Sequence, residues 1–72
     1  MNKKRLTIGQ SMARARKRAK MSQCELGRRC GINNANISAY EKDLHNPNLY
    51  SLIAIADALN ITLDELVGRT QI

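Results

Sequence analysis

"QCELGRRCGINNANISAYE", Gln23 to Glu41, carries two cysteines, a central glycine and a run of asparagines. It reads either as a metal or redox site or as two helices joined by a tight turn. The cysteines argue against metal. Cys24 and Cys30 lie six residues apart, about 600° of rotation on a helix, so they point in different directions. A structural zinc takes about four ligands, and His45 is the single histidine available to join them. The spacing favours two reduced thiols, Cys30 buried and Cys24 exposed, with metal binding or redox sensing as the alternative.

The helical reading explains more of the stretch. Residues 23–30 and 34–41 each suit a helix of about two turns, and Gly31-Ile32-Asn33 separates them. Gly31 reverses the chain by taking a positive φ without a Cβ clash. Gly27 weakens its own helix by about 1 kcal/mol relative to alanine, so close approach of the second helix is the reason for it. Ile37 and Tyr40 then form the inward face of that second helix. Two short helices and a sharp turn make a helix-turn-helix.

Working outward, a capping pattern recurs. Ser22 with Glu25, and Thr62 with Glu65, predict capping boxes, with Met21–Leu26 and Ile61–Leu66 as hydrophobic staples. Asn33 repeats the cap and Ile32–Ile37 the staple, with Asn36 replacing the acid. Thr7 caps a first helix striped by Ile8, Met12, Ala15 and Ala19. After Asn46-Pro47, Asn48 caps a fourth, whose broad apolar face is Leu52, Ile53, Ile55, Ala56 and Leu59. The expectation is all-α: helices over 8–19, 23–30, 34–41, 49–59 and 63–67. Residues 1–6 read as a basic arm, 7–68 as the domain and 69–72 as a short tail.

Seventy-two residues allow a single core. Tyr40 and Tyr50 are the two aromatics, so that core is aliphatic. No apolar run approaches the roughly 20 residues of a membrane span, and no signal-peptide core follows the basic start. A cytoplasmic location is expected. Formal charge is +6. Lys3, Lys4, Arg5, Arg14, Arg16, Lys17, Arg18 and Lys20 place eight of the twelve basic residues in the first twenty positions, ahead of the first acid, Glu25. That imbalance points to a polyanionic partner; a solvated, solubilising helix face is the alternative.

Gln23 to Tyr40 resembles the helix-turn-helix of the lambda-type phage repressor and Cro family, the XRE-like regulators. It does so through Gly27, Gly31, Ile37 and Tyr40. The likeness continues through "MSQCELGRRCGINNANISAYEKDLHNPNLYSLIAIADALNITLDEL", Met21 to Leu66. That run follows the family's S-Q, hydrophobic-S-x-Y-E, N-P and A-x-A-L-x-hydrophobic-[ST]-x-D-E-L in order. Coverage runs from about Ile8 to Gly68. Asp43 departs by standing where the family often has glycine, so it must accept a left-handed conformation. Leu44 and His45 stand where relatives are often basic.

The resemblance implies a five-helix DNA-binding domain whose third helix enters the major groove. By position, Asn34, Ala35, Ser38 and Ala39 would face bases. Ser22, Gln23, Lys42 and Asn46 would hold phosphates, Gln23 also bracing the first residue of helix 3. Arg16 and Glu41 would bridge helices 1 and 3. A sequence-specific repressor acting on double-stranded DNA as a homodimer is the implied function, with Leu63, Tyr50 and Val67 as dimer residues. A protein- or RNA-binding module on the same fold is the alternative, because fold does not fix function.

Other classes find little support. No nucleophile–base pair and no glycine-rich phosphate loop appears, so no enzyme activity and no cofactor or metal are expected. Met12 and a few alanines supply too little apolar area for helix 1 to enter a membrane.

Overall fold

The computed structural model describes residues 6–67, and within them every helix start obeys cap chemistry. Helices α1 (Ile8–Arg18), α2 (Gln23–Cys30), α3 (Asn34–Glu41), α4 (Leu49–Leu59) and α5 (Leu63–Val67) follow in order. No strand occurs among the described residues. The expected basic arm apart from Leu6, and the tail with Gly68, lie outside them.

Thr7 Oγ1 accepts the Gln10 N–H at 3.0 Å, and the Gln10 side chain returns a bond to the Thr7 N–H. This capping box uses a glutamine that local reading overlooked. Thr62 and Glu65 form the expected box, with bonds of 3.0 and 3.1 Å. At α2 the box is half made. Ser22 accepts from the Glu25 N–H, but the Glu25 carboxylate turns to Arg29, one turn along, at 3.3 Å. An ion pair one turn away competes with the reciprocal cap bond, and both partners keep substantial solvent exposure. Asn33 caps α3 two residues on, at the Ala35 N–H, and Asn48 caps α4 at Ser51.

The helix ends share one device. Lys20, Gly31, Asp43 and Asn60 all have φ between 59° and 72°. In each case the next N–H bonds five residues back: Met21 to Arg16, Ile32 to Gly27, Leu44 to Ala39 and Ile61 to Ala56. These are Schellman closures, which satisfy otherwise orphaned carbonyls. Three of the four use residues that accept the left-handed region at some cost, as expected for Asp43.

Met12, Leu26, Ile37, Ile55, Ala56, Leu59 and Leu66 are buried together, so each helix supplies the core. Helix α1 packs against α3 and α5, α2 against α3 and α4, and α4 against α5. Two expected core positions differ. Ile53 is exposed, because it lies about 200° around α4 from Ile55, whereas Leu52, Ala56 and Leu59 share the inward stripe. Ala19 is exposed, because α1 ends at Arg18 and leaves it as the C-cap.

Candidate nucleic-acid interface

A Cβ added at Gly27 would sit 2.5 Å from the Ile32 carbonyl oxygen and 3.6 Å from Ile37 Cγ1. The closest neighbour is therefore the turn backbone, with α3 just behind it. Gly31, at φ 72°, has open space around it, so backbone conformation and not crowding requires glycine there. Together they fold α3 back across α2.

On α3, Ile37 is buried and Tyr40 half-buried against the core. Asn34 and Ala35 are exposed, and Ser38 and Ala39 half-buried. These four fall within an arc of about 140°, on the opposite side of the helix from Ile37 and Tyr40. The Asn34 side chain makes no hydrogen bond among the described residues, whereas Asn33 is engaged as the cap. One small polar face is thus presented with an amide at its N-terminal end.

A three-helix network sets the tilt of that face. Arg16 Nε donates to Glu41 Oε2 at 2.6 Å and Nη2 to Glu41 Oε1 at 3.1 Å, a two-pronged pair. The remaining guanidinium nitrogen donates to the Met21 carbonyl at 2.8 Å. The side chains of Arg16 and Glu41 are 12% and 6% exposed. Gln23 Nε2 adds a bond to Glu41 Oε1 at 2.9 Å. Arg16, Gln23 and Glu41 thus join α1, the start of α2 and the end of α3. Gln23 braces the last residue of α3 and not the first, because Glu41 offers it a charged acceptor at the crossing point.

Asp43 adds a second tie. Its Oδ1 accepts the Gly9 N–H at 3.0 Å, and its Oδ2 accepts the Thr7 hydroxyl at 2.7 Å. Helix α1 has no acid in its own first turn. Asp43 brings a negative charge to its positive end from 34 residues away. No local signal announces that role.

The other expected site residues are dispersed. Ser22 is exposed at the α2 cap, Lys42 is the exposed C-cap of α3, and Asn46 is exposed in the following loop. Tyr50, on the first turn of α4, is 82% exposed, and Leu63, at the start of α5, is 36% exposed. Val67 is half-buried. Leu44, Leu49 and Ile53 add further exposed apolar surface that was not expected. Cys24 is exposed and Cys30 half-buried, not buried, its thiol donating to the Leu26 carbonyl at 3.0 Å. No cluster of His, Cys, Asp and Glu able to hold a metal ion occurs among the described residues.

Comparison with known proteins agrees with this geometry. The family model described as Helix-turn-helix matches residues 12–66. The immunity repressor protein of Bacillus phage phi105 is 33% identical over 64 residues, covering 89% of this chain and 44% of that protein. The cryptic phage CTXphi transcriptional repressor RstR of Vibrio cholerae is 34% identical, covering 89% of this chain and 57% of that protein. The chain thus spans about half the length of these curated relatives. The crystal structure of the P22 c2 repressor in complex with a synthetic operator superposes with a TM-score of 0.81 at 32% identity, covering 86% of this chain and 94% of that one. No helix among the described residues is long and apolar enough to cross a membrane. The chain belongs to the helix-turn-helix family whose members include phage repressors.

Proposed function

We propose that the protein is a sequence-specific transcriptional repressor that places α3 in the major groove of duplex DNA as a homodimer. One observation carries this reading: a small polar face on α3, held by the Arg16–Glu41–Gln23 network, in a domain that resembles a repressor solved in complex with a synthetic operator.

Asn34 offers an amide suited to paired bonds with adenine, and Ala35 a methyl suited to thymine, at roughly 1–3 kcal/mol per good contact. Ser38 and Ala39 complete the base-facing surface. It carries no arginine or lysine, so A·T pairs and not guanines are its natural targets. The α2 N-terminus, with Ser22 and Gln23, presents free N–H groups to a phosphate; Lys42 and Asn46 flank α3 as further phosphate ligands. Glu41 holds one amide proton of Gln23, leaving the other available. The work is binding, located in the cytoplasm, and involves no catalytic step.

One α3 reads too few base pairs to stand out from competing genomic sites. Two-fold pairing through Tyr50, Leu63 and Val67 doubles the site and sets half-sites about 34 Å apart. A binding selection on random duplexes tests the proposal. A palindromic A·T-containing consensus is expected, with affinity falling steeply as salt rises. Recovery of no consensus, or an affinity flat against salt, overturns it.

A further inference from the structure

Helix α1 has two working sides. Arg16 turns toward α3. Arg14 and Arg18, one turn apart, lie about 160–200° around the helix from it and face the opposite way. There they border a pocket of about 560 Å³ between α1, α5 and the α4–α5 turn. That size falls within the roughly 300–1,000 Å³ of small-molecule sites.

The lining is chemically divided. Ala15, Leu59 and Ile61 give it an apolar wall. Ser11 forms part of its floor, 3% exposed, with its hydroxyl oxygen closed off from the pocket. Neither Arg14 nor Arg18 forms an ion pair among the described residues, whose two salt bridges are Arg16–Glu41 and Glu25–Arg29. Like charges one helical turn apart repel, a cost that a bound anion relieves. Glu65 on the rim leaves the pocket with a net positive charge, and its carboxylate is engaged in capping Thr62.

We infer that this pocket binds a small amphiphilic organic anion, an apolar chain ending in a carboxylate or phosphate. Arg14 and Arg18 hold the head group, and Leu59 and Ile61 cover its chain. The site lies across α1 from the α3 face, and the inference stands whether or not the DNA reading does.

Titration of the full chain with sodium octanoate and with octyl phosphate, each below its micellar concentration, tests this. Octanol and ionic-strength-matched sodium chloride are the controls. At least one of the two anions is expected to raise the thermal midpoint saturably, and comparison of the two identifies the preferred head group; neither control raises it. The R14Q/R18Q double variant is expected to bind about tenfold more weakly or worse. Amide chemical-shift changes in the unaltered protein are expected at Ser11 to Ala19 and Leu59 to Glu65, a readout independent of any variant's folding. Equal stabilisation by octanol, failure of both anions to saturate, or shifts confined elsewhere overturns the site. So does a fall of about two in the salt slope of duplex binding by R14Q/R18Q, which would make these arginines phosphate contacts.

Discussion

Asn34 and Gln23 sit at the starts of neighbouring helices, yet their side chains stand in different situations. Asn34 is exposed and makes no side-chain bond among the described residues, which on the proposed function leaves its amide free to discriminate between bases. Gln23 is half-buried and tied to Glu41, and the proposed function makes it an anchor. Asn34→Ala is therefore expected to relax preference at one base position, at about 1–3 kcal/mol. Gln23→Ala should weaken all sequences alike. A mutant series measured against single-base operator variants checks both, and the reverse pattern would reassign the two roles. The cysteines also differ by environment. Burial pushes the Cys30 thiol up from its ordinary value, against a smaller opposing pull from the Ile32 backbone, so less of it is thiolate at a given pH. Cys24 is expected to be alkylated first by iodoacetamide near pH 8, as read by peptide mass mapping. A folded-state value above the unfolded one means that Cys30's contribution to stability is complete below about pH 8.5 and is lost as pH rises through the folded value. In a Cys30→Ala variant, the loss of stability over that alkaline window should shrink.

At the scale of elements, the Arg16–Glu41 pair holds α1 to α3, and its environment decides its worth. Exposed pairs contribute about 0–1 kcal/mol. Here the side chains are 12% and 6% exposed, so removing one partner strands the other's charge in a dry site. Arg16→Met or Glu41→Gln should each destabilise by roughly 3 kcal/mol in denaturant titrations, a large share of the roughly 4–10 kcal/mol such a domain holds. The double variant should lose much less than the sum. A coupling near zero in that cycle would make them independent charges. The same crossing carries Asp43, whose left-handed backbone (φ 59°) is sustained by the two bonds it makes to the start of α1. Glycine at this position would relax the backbone and lose both.

For the whole molecule, net charge and apolar surface set how it meets its partners. A charge of +6 attracts any duplex, and under the proposed function specificity would then rest on α3 and on pairing two copies. Leu63 and Tyr50 project from the first turns of α5 and α4 and leave apolar area in water, area that a second copy would cover. Leu63→Glu is expected to lower operator affinity and its cooperativity while shifting the thermal midpoint by no more than about 2 °C, since a partly exposed residue contributes little to the monomer's core. Gel-shift titrations on a palindromic site measure this. Undiminished cooperativity would move the interface to the exposed Leu44, Leu49 and Ile53, or leave each chain to act alone.

Features written within four or five residues of one another could be read directly from the chain. The Ser22, Asn33, Asn48 and Thr62 caps, the Gly31 reversal and the bounds of α2 to α5 are local, because cap and turn chemistry closes within a turn or so of helix. The inward placing of Ile37 and the Met21–Leu26 staple followed from spacing, and Ile53 marks where that reasoning stops: an apolar side chain can lie on a face that nothing covers. Apart from the Arg16–Glu41 bridge, which the family resemblance implied, what depended on a partner remote in sequence was not legible. Asp43 reaches Thr7 and Gly9 across 36 and 34 residues, Gln23 turns to Glu41 across 18, and Ser11 meets the Leu59–Ile61 wall only because α1 packs on α5. Periodicity states which face of a helix is apolar. It carries no information on which helix comes to lie against that face, and that choice is made by the shared core, where all five must fit at once.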